Sequence, residues 1–107
     1  MAVDRCGEEL ALRLGAIGGA VTRLRQRDVG DHLRAEFGTG TSQVLLIVHF
    51  DTVWPIGQID RMPREIRDGY IFGPGVLDMK GGIAIGMLAV RALIEEEARR
   101  SRAVFVL

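Results

Sequence analysis

The chain has 107 residues, which is enough for one domain or part of one. Hydrophobic residues make up 48% and charged residues 26%, so the composition favours a packed globular domain over a disordered or fibrous chain. Fourteen basic residues balance fourteen acidic ones, which leaves no overall field to recruit nucleic acid or an anionic membrane. The sequence shows no signal peptide and no apolar stretch of membrane-spanning length. With Cys6 as the lone cysteine, a reducing, cytoplasmic location is expected.

The first half of the chain predicts one helix and three strands. Apolar residues recur at the helical period between Glu8 and Ile17, and Gly18-Gly19 should end that helix. A weaker pattern suggests a short strand within residues 20–27, whereas residues 32–37 alternate between apolar and polar side chains as a half-buried strand does. The continuous aliphatic run over residues 44–48 predicts a strand that is covered on both faces.

The second half predicts turns, a long helix and a final strand. Residues 53–75 are rich in turn formers, with an Asp-Gly hairpin expected over residues 66–71. Residues 83–97 predict a mostly buried helix, and residues 103–107 begin another buried strand. Buried strands that alternate with a buried helix predict an α/β fold with a layered mixed sheet and flanking helices.

A histidine and an aspartate directly follow the predicted strand over residues 44–48. In an extended backbone, His49 and Asp51 lie on the same side of the chain, with Phe50 on the other. Imidazole is the commonest metal ligand in proteins, and its second nitrogen often donates a hydrogen bond to a carboxylate. The pair therefore predicts a metal ligand with its orienting carboxylate, while a strand-end histidine beside a turn aspartate is the alternative that this short motif leaves open.

A glycine-rich segment, residues 73–82, surrounds Asp78 and Lys80, the single lysine of the chain. The glycines allow a close approach of the backbone, and Asp78 precedes the predicted helix, where its carboxylate could bind one zinc ion or bridge two. The segment lacks the Gly-Lys-Ser/Thr ending of a phosphate-binding P-loop and the Gly-x-Gly-x-x-Gly spacing of a dinucleotide site. A structural turn before the helix is the open alternative.

Together, the two motifs resemble the zinc-dependent exopeptidase family that includes glutamate carboxypeptidase, acetylornithine deacetylase and succinyl-diaminopimelate desuccinylase. The resemblance is carried by His49-Phe50-Asp51-Thr52-Val53-Trp54-Pro55, by Asp68-Gly69 and by Gly73-Pro74-Gly75-Val76-Leu77-Asp78-Met79-Lys80-Gly81-Gly82. The residues around Gly-Pro-Gly are most similar to the glutamate carboxypeptidase branch. The resemblance is dense over the middle of the chain and corresponds to the front of a family member's catalytic domain.

The resemblance implies a role for each of three residues. His49 would be a ligand of one zinc ion, and Asp78 would bridge two zinc ions, for which Co²⁺ or Mn²⁺ could substitute. Asp51, the catalytic candidate, would hold the His49 ring and its tautomer. The peptide bond between Asp78 and Met79 is expected to be cis, as it commonly is in the family. Two such ions activate a shared water and polarise the carbonyl of a scissile amide.

The family also needs a glutamate as general base, in a Glu-Glu pair downstream of the strand that begins at Ala103. Glu95-Glu96-Glu97 does not fit this place, because a cluster near the end of a helix is expected to face solvent. Residues 1–107 are therefore expected to be the N-terminal portion of a catalytic domain, inactive alone and without the family's dimerisation domain. The parent protein is expected to be a homodimer through that domain.

Two functions are open at this point. The first is a hydrolase that cleaves an amide bond near a free carboxylate, in a small peptide or an N-acyl amino acid. The second is a metal-free binding or assembly module that keeps the fold and contacts a partner through residues 52–75. Neither function involves nucleic acid or a membrane. His32 is expected at the surface, Trp54 either lines a substrate pocket or anchors packing, and no substrate-binding residue is assigned.

Overall fold

The computed structural model describes residues 2–96 and 101–107 and contains a four-stranded sheet with two long helices. In chain order the elements are α1 (Ala2–Ala16), β1 (Ala20–Leu24), β2 (His32–Phe37), β3 (Ser42–Ile47), α2 (Gln58–Arg61), β4 (Glu65–Arg67), β5 (Tyr70–Phe72), α3 (Gly82–Glu95) and β6 (Ser101–Val106). A kinked turn, Val76–Gly81, leads directly into α3. Among the described helices, none is long and apolar enough to cross a membrane.

The sheet is mixed, which confirms the predicted fold class. Its strands lie in the order β1-β2-β6-β3, where β2 is antiparallel to both its neighbours and β3 is parallel to β6. A parallel pair needs a crossover connection, and here the crossover contains α2, the β4–β5 hairpin and α3. The chain that follows β3 therefore starts at the carboxyl edge of the sheet, which is where open α/β sheets commonly bind ligands.

The core lies on one face of the sheet. Phe105 of β6 is fully buried there, and the strand register places it opposite Ala35 of β2 and beside Leu46 of β3. Its ring meets the ring of Phe37 edge-on, with 6.0 Å between the ring centroids. Both long helices contribute to the same apolar cluster, which comprises Leu14, Leu33, Ala35, Phe37, Phe50, Ile83, Val90, Phe105 and Leu107.

The opposite face of the sheet carries ion pairs and exposed apolar side chains. Glu36 forms an ion pair with Arg34, with 2.8 Å between Oε1 of Glu36 and a guanidinium nitrogen. It forms a second ion pair with Arg102. Leu45 and Ile47 of β3 are 52% and 74% exposed on this face. The prediction that the 44–48 strand is covered on both faces is therefore wrong, because β3 is the edge strand of the sheet and packs through only one of its faces.

The prediction that the long helix is mostly buried is also wrong. Within α3, the buried residues are Ile83, Gly86 and Val90, whose spacing marks a single stripe along the helix. Ile85 and Leu88 are 69% and 64% exposed, although they are as apolar as the buried ones. The helix ends at Glu95, whereas the prediction extends to residue 97. Residue 97 itself lies outside the described part of the chain.

Two other predictions differ little from the structure, and one short helix was not predicted. The hairpin is confirmed, with positive φ at both turn residues, Asp68 and Gly69, as a tight two-residue turn requires. The first helix begins at Ala2 rather than at Glu8, because Val3 and Cys6 continue its apolar stripe and pack against the core. The short helix α2 was not predicted, since its four residues carry no apolar period.

Gly86 offers a test of how closely α3 approaches the sheet. A Cβ atom at this position would lie 3.0 Å from the ring of Phe105, which is fully buried, so the ring or the helix would have to shift. We expect Gly86→Ala to lower the free energy of unfolding by about 1–2 kcal/mol, because overpacking outweighs the gain in helix propensity of about 1 kcal/mol. Chemical denaturation followed by circular dichroism measures this change.

The matched control is Gly15→Ala in α1. A Cβ atom there would meet no atom within 4 Å, so the propensity gain should stabilise the chain by about 0.5–1 kcal/mol. A Gly86→Ala chain that is more stable than the wild type would contradict the close packing of α3 on Phe105.

Candidate metal centre

His49 and Asp51 lie on the loop that leaves the carboxyl end of β3. The Val48 amide donates a hydrogen bond to the carbonyl oxygen of Val106 at 2.9 Å, which holds the start of this loop to the neighbouring strand. The Phe50 side chain is 6% exposed and belongs to the core. Because Phe50 points inward, its two neighbours point out to solvent, as the alternation of an extended chain predicts.

Asp78 lies in the kinked turn that precedes α3. The turn is entered through Gly75, whose φ of 72° is in the left-handed region that favours glycine. Asp78 itself has an extended backbone, and the peptide bond that joins it to Met79 is cis, as the family resemblance predicts. The turn closes with a hydrogen bond from the Lys80 amide to the Gly75 carbonyl oxygen at 3.0 Å.

The His49 ring lies between two carboxylates. Its Nε2 is 2.9 Å from Oδ1 of Asp78, and its Nδ1 is 3.1 Å from Oδ1 of Asp51. The backbone carbonyl oxygen of Asp51 is also 3.3 Å from Nδ1. The structure therefore brings together the three residues that the two sequence motifs contribute, although 29 positions separate His49 from Asp78.

This donor set fits part of a zinc site. An imidazole nitrogen and a carboxylate oxygen that face one another at the surface are donors that zinc accepts. Asp51 contacts the opposite nitrogen of the ring, so it does not face the same point as Asp78. Among the described residues, no group of three or more His, Cys, Asp or Glu side chains is arranged to hold a metal ion. The pair would therefore offer a zinc ion only two of the four ligands that it prefers.

The carboxylates also control the protonation of His49. The hydrogen bond with Asp78 is the main cause that raises the pKa of the imidazole above its ordinary value of 6.5, and the contacts with Asp51 raise it further. Partial desolvation of the ring opposes this shift. Between two carboxylates, the imidazolium can donate from both nitrogens, whereas the neutral ring can donate from only one.

We expect this arrangement to give a pH-dependent contribution to stability in the metal-free chain. Because the folded-state pKa of His49 is raised, the contribution is fully present below the unfolded pKa of about 6.5 and is lost as the pH rises through the folded pKa. An NMR titration of the ring signals measures the folded pKa directly.

Asp78→Asn is the comparison that isolates the cause of this shift. Loss of the main carboxylate partner should move the titration of His49 to lower pH. If the wild type and the variant titrate at the same pH, the hydrogen bond between His49 and Asp78 does not persist in solution.

The remaining predicted residues lie apart from this pair or at its margin. His32 is exposed on β2, as predicted, and Trp54 is 45% exposed on the loop that follows Asp51. Glu95 forms an exposed ion pair with Arg91 at 2.8 Å, one turn away along α3, which agrees with a solvent-facing cluster. Glu97 lies outside the described residues.

A cleft of about 540 Å³ opens beside the loop of His49 and Asp51. Its other walls are mainly apolar, and Asp78 does not line it. The cleft therefore borders the histidine loop without reaching the point where the two carboxylate-bearing segments meet.

One contact of this region was not predicted from the sequence. The Nζ of Lys80 donates a hydrogen bond to the carbonyl oxygen of Phe50 at 3.3 Å, which joins the turn of Asp78 to the loop of His49. The sequence signal that accompanies it is the position of the single lysine of the chain within the glycine-rich segment.

Open α/β sheets commonly bind ligands at the carboxyl edge of their strands. Imidazole and carboxylate groups at that edge are donors that a zinc ion accepts. The model of Peptidase family M20/M25/M40 matches residues 45–107, which include both motifs. The chain belongs to this family.

The chain is similar to curated relatives that are about four times its length. It is 38% identical over 93 residues to succinyl-diaminopimelate desuccinylase of Xanthomonas oryzae pv. oryzae, covering 83% of this chain and 24% of the relative. It is 32% identical over 108 residues to carboxypeptidase G2 of Pseudomonas sp. (strain RS-16), covering 98% of this chain and 26% of the relative. The chain thus spans about a quarter of the length of these relatives.

Solved structures share the fold. A metallo-carboxypeptidase of the M20 family from Sulfolobus solfataricus superposes with a TM-score of 0.81 at 18% identity, covering 97% of this chain and 25% of that one. Human carnosine dipeptidase 1 superposes with a TM-score of 0.76 at 21% identity, covering 95% of this chain and 25% of that one. These likenesses show that the mixed sheet and its flanking helices recur as about a quarter of each of these longer chains.

Proposed function

We propose that this chain contributes the first ligands of a zinc centre in a hydrolase that cleaves an amide bond near a free carboxylate. The observation that carries the proposal is the contact of 2.9 Å between His49 Nε2 and Asp78 Oδ1, made by two motifs that are distant in sequence. Membership of the peptidase family supports a metal-dependent reaction. A small peptide or N-acyl amino acid as substrate is supported by the names of the relatives, a carboxypeptidase and a desuccinylase.

Each residue of the site has a distinct part in this proposal. His49 and Asp78 would hold the metal, His49 through an imidazole nitrogen and Asp78 through its carboxylate. Asp51 accepts a hydrogen bond from Nδ1 of His49, which fixes the tautomer whose Nε2 lone pair is free. Zinc, when bound, supplies a Lewis acid that lowers the pKa of a bound water and polarises a carbonyl group. Co²⁺ or Mn²⁺ can take the same nitrogen and oxygen donors.

We also propose that the 107 residues by themselves turn over no substrate. Two ligands are fewer than the four of a complete zinc site. Glu95 is engaged with Arg91 on the surface of α3, so it is not available as the general base. We propose that the general base lies in a longer protein that includes this chain. The dimerisation domain, and a homodimer formed through it, are proposed for the same longer protein. The free thiol of Cys6 supports a cytoplasmic location.

Zinc titration by isothermal calorimetry tests the metal centre. The wild-type chain should bind zinc weakly, and a chain with His49→Ala and Asp78→Ala together should give no binding heat. Equal binding by the two chains would contradict a role of these residues in a metal site. A wild type that binds no zinc would favour the metal-free binding module, in which the loop over residues 52–75 contacts a partner.

Asp51 is tested by two substitutions that differ in one property. Asp51→Ala removes the carboxylate that contacts Nδ1, and we expect it to weaken zinc binding about 10- to 100-fold, as the loss of a ligand's orienting partner commonly does. Asp51→Asn keeps an acceptor oxygen and loses only the charge, so it should weaken binding less. Calorimetry measures both, and an unchanged affinity in Asp51→Ala would exclude an orienting role.

A further inference from the structure

We infer that Lys80 is a positioning residue that sets the distance between the two ligand-bearing segments through its hydrogen bond to the Phe50 carbonyl. The inference rests on the proposed metal centre and adds to it a residue that does not contact the metal. Its basis is that Lys80 lies two positions after Asp78, and that its acceptor lies between His49 and Asp51 in the chain.

Two side-chain hydrogen bonds connect the segments in the part of the chain that the structure describes. One is the direct contact between His49 and Asp78, and the other is the contact of 3.3 Å from Lys80 Nζ to the Phe50 carbonyl oxygen. A metal ion held by His49 and Asp78 would replace the first contact, because the Nε2 lone pair would then face the ion. The second contact uses neither ligand, so metal binding would not compete with it directly.

The backbone is restrained at both ends of this second contact. The Phe50 ring is buried in the core, which holds its backbone against the sheet. The Lys80 amide is bonded to the Gly75 carbonyl oxygen at 3.0 Å, and the side chain is half-buried. A hydrogen bond between two restrained groups transmits position, whereas a bond from a freely moving surface lysine does not.

Gly75 supplies the space through which the lysine reaches its acceptor. A Cβ atom on Gly75 would lie 2.9 Å from Lys80 Nζ and 2.4 Å from a methyl carbon of Thr52. The ammonium group therefore passes directly over the glycine backbone. Glycine is therefore favoured at position 75 for two reasons. A side chain there would collide with the lysine, and the φ of 72° lies in the left-handed region.

The sign of one substitution separates positioning from simple electrostatics. Lys80→Met keeps the length and apolar stem of the side chain and removes the charge and the donor. A lysine that acted only by its charge would repel a metal cation, so its removal would raise zinc affinity. A positioning lysine gives the opposite result, and we expect Lys80→Met to weaken zinc binding about tenfold, at the lower end of the range for partners of metal ligands.

A chemically restored lysine serves as the conservative control. In a Cys6→Ala background, Lys80→Cys provides a single thiol, which 2-bromoethylamine converts to a side chain of lysine length with a terminal ammonium. A free thiol would itself bind zinc, so the reference is the same thiol alkylated with bromoethane, which gives a neutral side chain without the donor. This ethylated chain should bind zinc about tenfold more weakly than Cys6→Ala alone. The aminoethylated chain should regain most of that affinity.

A second measurement needs no metal. The ring nitrogen signals of His49 report its hydrogen bonds in NMR spectra, and His32 on β2 provides an internal reference in the same chain. Lys80→Met should shift the His49 signals and leave those of His32 in place, and aminoethylation of the Lys80→Cys chain should reverse the shift.

These results separate the inference from the proposed function. Zinc affinity that is unchanged or raised in Lys80→Met, with unchanged His49 signals, overturns the positioning role, as does an aminoethylated chain that regains neither property. A wild type that binds no zinc overturns the proposed metal centre, while the His49 signals still decide the role of Lys80. If Lys80→Met unfolds, the aminoethylated and ethylated Lys80→Cys chains are compared in its place.

Discussion

Asp78→Asn is expected to abolish measurable zinc binding, with a loss of affinity of more than about 100-fold. An orienting partner of a ligand commonly contributes 10- to 100-fold, and a direct ligand contributes more. Asparagine keeps the size of the side chain and one carbonyl oxygen, but it removes the negative charge that a zinc ligand brings to the ion. Calorimetric titration at a pH above the raised pKa of His49 measures the effect without competition from the proton.

Asp68→Asn is the matched control for this substitution. It makes the same chemical change in the turn between β4 and β5, where asparagine tolerates the positive φ of 51°. It removes the same amount of charge from the chain, so zinc affinity should be almost unchanged. If the two variants weaken binding equally, net charge rather than coordination explains the effect, and Asp78 is not a ligand.

The His49 loop could be predicted because its geometry follows from local rules. A buried aliphatic run predicts a strand, a strand alternates its side chains, and a buried Phe50 therefore turns His49 and Asp51 outward together. The approach of Asp78 followed from the family resemblance and from the glycines around it. Local periodicity alone gives no relation between two segments that lie 29 positions apart.

The contact between Lys80 and Phe50 could not be predicted in the same way. It depends on the direction of a half-buried side chain across a kinked turn, in which Asp78 and Met79 depart from helical dihedral angles. Such a turn has no periodic pattern, so composition indicates that the backbone is unusual without indicating its path. The placement of the single lysine was visible in the sequence, but its partner was not.

Burial was the least predictable property of the fold. The apolar composition of β3 led to a prediction of burial on both faces, and that of α3 to a prediction of a mostly buried helix, yet Val44 and Leu93 are 58% and 54% exposed. A hydrophobic composition indicates that covering the surface lowers the free energy. It does not identify the surface that covers it. Helical and strand periods fail here too, because apolar residues lie on both faces of β3 and around most of the first half of α3.

Phe105→Ala is expected to remove most of the stability of the fold. Phe105 is fully buried in β6, between β2 and β3, and its ring contacts the ring of Phe37 and the backbone side of Gly86. Truncation of a buried phenylalanine costs about 3–5 kcal/mol, because it removes apolar contacts and leaves a cavity. A domain of this size has a total stability of about 5–15 kcal/mol, so the variant should unfold at much lower denaturant concentration or be unfolded in water.

The consequence extends to the metal centre, because β3 is held in the sheet through β6 and the His49 loop continues from β3. We therefore expect Phe105→Ala to weaken zinc binding together with the fold, whereas Asp78→Asn should weaken binding and leave the fold intact. Phe72→Ala on β5 is the control, since Phe72 is 41% exposed and its loss should cost within about 1 kcal/mol. A Phe105→Ala chain with wild-type unfolding behaviour would show that the cluster around this ring is not the core that holds the ligand-bearing edge of the sheet in place.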